Sequence, residues 1–481
     1  MRKLSLAKIS SIVFAFCVIT AIASPAQTFN TLASFSTTGG YAPNPGLVQG
    51  FNGNFYGTTN QSDNSNGSGT VFEITASGTL TSLNSFNYSD GAQPVVGLVQ
   101  ASNGDLYGTT SSGGTQGAGT IFEVTPAGTL TALYNFCSVV SSQGLCGDGL
   151  GGEGMVQASN GNFYGTTSTG GNGAGVSGTV FEITPAGKLT TLYSFCPNYP
   201  SCGTDGRSPL GLLQATNGNF YGVTSSGGNN AHGTIFEITP AGKLTTLYTF
   251  CSLTNCADGT NPVALVQATN GNFYGATRMG GFYNSLSCNV YGCGTIFELT
   301  PAGKLTTLYT FQFTDGSEPS ALVQATDGNF YGTCGVGTTT DDGGTIFEIT
   351  PAGILTILHS FNFTDGAYPN ALVQATNGNF YGTTGAGGTN DVGAAFSLSV
   401  GLGPFVETLP TAAKVGRRIV ILGNNLTGAT SVTFNGKAAT FAVVSGTEIS
   451  ATVPISATTG RVKVRTPSGV LSSNVQFRVT P

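Results

Sequence analysis

Apolar residues in this chain come in short runs, each broken after a few positions by Gly, Asn, Ser or Pro. GTIFEITPAGKLTTLYTF, residues 233–250, is typical: one strand-like run, a Pro-Ala-Gly break, then a second run. No long stretch carries a helical period of apolar positions, and β-branched and aromatic residues fill the runs. The pattern therefore predicts many short strands and very little helix.

The same pattern recurs seven times. Its most regular marker is the tyrosine of a Tyr-Gly pair, at Tyr56, Tyr107, Tyr164, Tyr221, Tyr274, Tyr331 and Tyr381, spaced by 51, 57, 57, 53, 57 and 50 residues. A period near fifty lies in the range of propeller blades. Each unit resolves into four strands. Strand a (LVQAT) ends in an Asn-Gly turn, whose two residues suit the positive φ values of a type I′ hairpin. Strand b (NFYGTT) leads into a Gly- and Ser-rich loop. Strand c (GTIFEIT) and strand d (KLTTLYTF) are joined by Pro-Ala-Gly, in which Pro fixes φ at the first corner.

The ends of the repeat region carry the sharpest expectation. Residues 29–35 (FNTLASF) align with strand d and have no a, b or c before them, whereas the seventh unit stops after strand c near Val400. A spare first strand that completes the last unit gives seven four-stranded blades in a closed ring, without the exposed edges of an open array. Residues 402–481 depart from the repeat. Their short strands, among them RRIVILG, ATSVTFNG and GRVKVRTPSG, predict an immunoglobulin-like β-sandwich. The expected fold is all-β: a seven-bladed β-propeller over residues 27–401, closed by its N-terminal strand, then the sandwich.

Composition refines this picture. Of 481 residues, 73 are Gly and none is Trp, and only 8% are charged. The repeats hold five Lys and Arg against twenty Asp and Glu, and the C-terminal region holds eight against two. An acidic propeller argues against a nucleic-acid partner. Arg2, Lys3 and Lys8 precede an apolar run, and Ser-Pro-Ala lies before Gln27, so residues 1–26 read as a secretory signal peptide. No other segment is apolar enough to span a bilayer, so the mature chain is expected to lack a transmembrane anchor. Eight cysteines form close pairs in loops, Cys137/Cys146, Cys196/Cys202, Cys251/Cys256 and Cys288/Cys293. In an exported chain these read as disulfides that pin loop shape. Cys334 replaces a Thr of strand b and reads as a buried free thiol.

Two resemblances follow from these residues. NFYGTT…GGTIFEITPAGKLTTLY…DG resembles the GloVer tandem repeat of exported bacterial proteins, over roughly three quarters of the chain. That family brings no activity to carry over. GRRIVILGNNLTGATSVTFNGKAATF, TEISATVP and GRVKVRTPSG are similar to IPT/TIG immunoglobulin-like domains, which implies adhesion or spacing at a cell surface. GloVer relatives often end in sorting anchors, and this chain shows none.

Candidate chemistry divides into what the repeat keeps and what breaks it. Gln49, Gln100, Gln157, Gln214, Gln267, Gln324 and Gln374 recur in strand a, where sevenfold repetition favours bonding to a neighbouring blade's backbone over a ligand ring. Glu73, Glu123, Glu182, Glu237, Glu298 and Glu348 recur in strand c, which predicts a structural contact between blades. Asp90, Asp148, Asp205, Asp258, Asp315 and Asp365 precede Gly in the d–a loops. Turn capping is the favoured reading, and calcium, with Asp63, Asp341, Asp342 and Asp391 nearby, is the alternative.

The breaks are fewer. Arg207 and Arg278 are the only arginines between residues 27 and 401, and His232 is the only loop histidine. All three are placed in the variable b–c and d–a loops of the fourth and fifth units, beside Tyr199, Phe282, Tyr283 and Tyr291. Arginines next to aromatics suit an acidic sugar, so Arg207, His232, Arg278 and Tyr283 are the candidate ligand-binding residues. His359 lies within a strand d and reads as packed. The two histidines form no catalytic or copper-ligand set, and no metal cofactor is expected beyond the calcium alternative. The function expected is that of an exported, monomeric, non-catalytic binding or adhesion protein, extracellular, at the cell surface or periplasmic. Its loops would meet a glycan or a protein. An extracellular carbohydrate-active enzyme using the same loop face is the alternative.

Overall fold

The computed structural model describes residues 27–62, 67–140, 144–171, 177–197, 202–281, 288, 292–337 and 342–480. Among these, helix is confined to two single-turn 3-10 segments, Thr37–Gly39 and Thr254–Cys256. The rest of the ordered backbone is strand, as the short apolar runs require.

Seven antiparallel sheets cover the repeats among the described residues. The fourth shows the unit: strands a (Gly206–Gln214), b (Phe220–Gly227), c (Thr234–Ile238) and d (Leu244–Thr249) lie side by side in chain order. In the first sheet strand a is split into Tyr41–Pro43 and Val48–Gln49, and in the second into Ala92–Pro94 and Val99–Gln100. Both splits follow a Pro-x-x-Gly insertion, residues 43–46 and 94–97. The seventh sheet has Ala367–Gln374, Phe380–Ala386 and Ala394–Ser399 as a, b and c. Its fourth strand is Thr28–Ser34, antiparallel to Ala394–Ser399 with Asn30 opposite Ser397.

Neighbouring sheets pack face to face through the repeat's own residues. Six of the seven Tyr-Gly tyrosines stack on the phenylalanine that opens the next strand b, and Tyr56 meets Leu106 instead. Tyr164 meets Phe220 at 4.1 Å and Tyr221 meets Phe273 at 4.2 Å between ring centroids. Such pairs add about 0.5–1.5 kcal/mol beyond the area they bury. The series includes Tyr381 of the seventh sheet against Phe55 of the first, at 4.0 Å. The glycine before each strand c is fixed by the same packing. At Gly233, where φ is +100°, a Cβ would lie 2.4 Å from the Thr224 carbonyl oxygen and 2.6 Å from Pro262 of the next sheet.

The C-terminal region forms two four-stranded sheets around one apolar core that includes Val406, Ile421, Val432, Ile449 and Phe477. It rests on the a–b turns of the repeats. Thr447 donates to the Phe51 carbonyl at 2.7 Å, Asn424 to the Thr376 hydroxyl at 2.7 Å, and the Phe405 N–H to the Thr376 carbonyl at 3.0 Å. A Cβ at Gly218, in the fourth sheet's turn, would meet the Arg478 guanidinium at 3.7 Å. The C-terminal region therefore occupies the end of the sheets opposite the variable loops.

Candidate functional site

In an antiparallel four-strand unit the b–c and d–a connections leave the same end. All four disulfides among the described residues lie there, joining Cys137 to Cys146, Cys196 to Cys202, Cys251 to Cys256 and Cys288 to Cys293. These are the expected pairings. Cys334 is free and buried, as expected, and burial pushes its thiol up.

The recurring polar residues are consumed by the scaffold. Gln214 Oε1 accepts the Ser159 N–H of the preceding sheet at 3.0 Å, while its Nε2 donates to the Gly218 carbonyl at 3.1 Å. Gln49 does the same for Thr376 of the seventh sheet, at 2.9 Å. Gln100 is the exception, since its Oε1 is buried without a partner. The Glu residues bond within their own sheet, which corrects the expected contact between blades. Glu73 Oε1 accepts from Asn52, Asn54 and the Tyr56 hydroxyl at 2.9, 2.7 and 2.9 Å, because Tyr56 and Glu73 are directly opposed across strands b and c. Burial and the carboxylate push the phenols up, Tyr164 to about 12.

The Asp residues behave as turn caps. Fully buried Asp258 accepts from the Ser252 N–H at 2.9 Å, the Leu253 N–H at 3.2 Å and the Tyr248 hydroxyl at 2.8 Å. Asp148 repeats this with Ser138, Val139 and Tyr134. Both oxygens are thus engaged by donors, an arrangement built for the backbone of the loop.

Two residues after each Asp-Gly, the chain adopts a positive φ, sampled by Gln93, Ser208, Asn261, Glu318 and Tyr368 between 52° and 55°. From there the N–H crosses to the previous sheet: Ser208 to Ser177, Asn261 to His232 and Glu318 to Cys293, each at 3.0 Å. Ala42 makes the same bond to Val392 at 3.0 Å. No residue type marks this position, so the periodicity of the chain does not reveal it.

The candidate residues stand at three different seams of this end. Arg207 is half-buried opposite Ser226, next to the Ser208 link to the third sheet. His232 takes part in the link between the fourth and fifth sheets, and its ring lies within 4.8 Å of the sulfurs of Cys251 and Cys256. Those sulfurs are bonded to each other, so the group offers one imidazole and no thiolate. Arg278 is 54% exposed and pairs with Glu318 of the sixth sheet, through Nε at 3.0 Å and Nη2 at 2.7 Å. Glu318 was not singled out from the sequence, because its partner is 40 residues away. Tyr283 lies outside the described residues, as do Tyr199, Phe282, Tyr291, Asp63 and Asp341.

Glu153 was also missed. It interrupts the repeat as LGGEGM where the fifth, sixth and seventh units read xPxALV, and it occupies the bulge of its strand a, between Gly152 and Gly154. Three residues in the same place donate to the next sheet's proline carbonyl: Asn44 to Pro94 at 2.6 Å, Asn370 to Pro43 at 2.8 Å and Ser320 to Pro369 at 3.3 Å. Ionised Glu153 has no proton for such a bond. Burial pushes its carboxyl up, and a bond from Ser168 opposes that. His359 packs, as expected. Its ring lies 3.6 Å from that of Phe29 and 7° from parallel, with Nε2 3.0 Å from Asp365.

A family model described as the Gloeobacter/Verrucomicrobia repeat matches residues 15–150 and 282–421, and an IPT/TIG domain model matches residues 406–479. A comparison with curated proteins found no match. Among solved structures, a streptogramin B lyase is similar at TM-score 0.51 and 16% identity, covering 78% of this chain and 97% of that one. The extracellular domain of a hybrid two-component system from B. thetaiotaomicron is similar at TM-score 0.50 and 10% identity, covering 95% of this chain and 60% of that one. At these identities the likeness is one of fold, and the fold is propeller-like.

Proposed function

This chain belongs to the Gloeobacter/Verrucomicrobia repeat family and carries an IPT/TIG domain; we propose that it is an exported, non-catalytic binding protein that presents its loop face to a glycan or protein partner. Residues 27–401 form a closed seven-bladed propeller in this reading, and residues 402–481 form a spacer. Closure is supported by a ring stack and two hydrogen bonds between the first and seventh sheets that repeat those between other neighbours: Phe55 on Tyr381, Thr376 to Gln49, and Ala42 to Val392. Export is supported by four disulfides, which suit an oxidising compartment.

One observation carries the binding role. The polar residues that the repeat keeps are used up inside the scaffold, while length variation and all four disulfides gather at one end. Variable loops held on rigid sheets are where recognition resides. Arg207, His232, Arg278 and Tyr283 are the residues we assign to it, with Glu318 positioning Arg278. The mature protein on a glycan array, beside an Arg207→Ala/Arg278→Ala variant, tests this. Binding that the double variant loses supports the reading, and an unchanged pattern removes the assigned residues from it.

A second reading, an extracellular carbohydrate-active enzyme, draws support from Glu153. A half-buried carboxyl held toward its protonated form on the innermost strand has the character of a general acid. Hydrolysis of any array glycan that Glu153→Gln abolishes would favour it.

A further inference from the structure

The end of the sheets away from the loops carries a second concave surface. A cleft of about 520 Å³ lies where the IPT/TIG domain meets the a–b turns of the second and third sheets. Its domain wall presents Lys414, Arg417 and Arg418, and its turn wall presents Ser102, Ser159 and Asn160. Clefts of this size at the junction of two domains suit small ligands.

The charges on the two walls are uneven in a telling way. All three cations are exposed, in a chain with only 16 Lys and Arg. Arg418 is occupied, bonding Ser450 through Nε and lying in the field of Glu448. Lys414 and Arg417 have no carboxylate within 4.0 Å among the described residues, where the two ion pairs are Arg278–Glu318 and His359–Asp365. The facing turn supplies hydroxyls. The backbone N–H groups of Ser102 and Ser159 are taken by Gln157 and Gln214, so the turn is held rigid while its side chains line the cleft.

From this pairing we propose that the cleft binds an anionic saccharide. Its acid group would lie on Lys414 and the planar fork of Arg417. Its hydroxyls would lie on Ser102 and Ser159, since the Asn160 amide is bonded to Tyr164 and to the Asn162 N–H. The site is separate from the loop face and does not depend on the reading of that face. It also gives the IPT/TIG domain a part in recognition, because the cations stand on the domain wall and the two serines on the turn wall.

Calorimetric titration of the mature full-length chain tests the proposal with trigalacturonate, a sulfated trisaccharide of similar size and neutral maltotriose as probes. We expect one of the two acidic probes to bind one per chain while maltotriose gives no heat. Lys414→Gln/Arg417→Gln is expected to weaken that binding at least tenfold with the melting temperature unchanged, since both side chains are exposed. Repeating the titration on an Arg207→Ala/Arg278→Ala background removes any contribution of the loop face, and the tenfold loss on adding Lys414→Gln/Arg417→Gln is expected to persist there. Absence of binding by both acidic probes, equal binding of maltotriose, or affinity that survives Lys414→Gln/Arg417→Gln would each overturn it.

Discussion

The ring of Phe55, which opens strand b of the first sheet, lies 4.0 Å from that of Tyr381 in the seventh and 27° from parallel. Tyr164 and Phe220, in adjacent sheets, hold nearly the same geometry at 4.1 Å and 25°. The seam between first and last is thus packed as an ordinary seam is. Phe55→Leu is expected to cost about 1–2 kcal/mol, the lost stack plus the lost volume. Urea unfolding measures it, and a cost near zero would mean that this seam carries no packing energy.

The seam between the first and second sheets is built differently. Leu106 stands where other units have Phe, and Gln100 Oε1 is buried without a partner, whereas Gln49 Oε1 accepts the Thr376 N–H at 2.9 Å. Removing Gln49 strands a backbone donor and removing Gln100 does not. Gln49→Ala should therefore be more destabilising than Gln100→Ala by about 1 kcal/mol. Equal losses would show that the amide's second bond, to the turn carbonyl, is the one that matters.

Acid should weaken the packing of the N-terminal strand through His359. Its ring is stacked on Phe29, and burial holds its pKa below the ordinary value despite Asp365. The unfolded chain takes up the proton near pH 6.5 and the folded chain resists it until lower pH. The resulting stability is present above pH 6.5 and lost as the pH falls through that value toward the folded one. His359→Tyr restores the residue that sheets two to five carry at Tyr134, Tyr193, Tyr248 and Tyr309. The melting temperature of the parent should fall further between pH 7 and pH 5 than that of the variant. Parallel curves would refute the assignment.

Cys334 offers a stabilising change. Elsewhere a strand b threonine and the first threonine of strand c share a buried bond, as Thr224 and Thr234 do at 2.8 Å. Cys334 breaks that pair and leaves the buried Thr345 hydroxyl facing a sulfur, a weaker partner than oxygen. Cys334→Thr is expected to gain about 0.5–1.5 kcal/mol. A loss instead would mean the pocket has closed around sulfur.

How much of this was legible beforehand depended on whether a residue's partner is set by the repeat. The strands, the turns, the cysteine pairs and the role of the glutamines all follow from periodicity and local chemistry along the repeats. The glutamates were misplaced because strand register, which opposes Tyr56 to Glu73, decides their partner. Arg278 was visible as a rarity, but the Glu318 that claims it was not, since the contact crosses from one sheet to the next. Glu153 was visible as a break in strand a, yet only the bonds made by Asn44, Ser320 and Asn370 in its place show that a carboxylate is out of keeping there.

The proposed closure of the repeats is tested most directly by a cross-link between their first and last strands. Asn30 and Ser397 are directly opposed in the pairing of the first strand with the last of the repeats. Opposed residues of antiparallel strands lie within reach of a disulfide. Asn30→Cys/Ser397→Cys, mapped by mass spectrometry after air oxidation, is predicted to form that bond quantitatively in the folded monomer and to raise the melting temperature. Two thiols left free in the folded protein would contradict closure by the N-terminal strand.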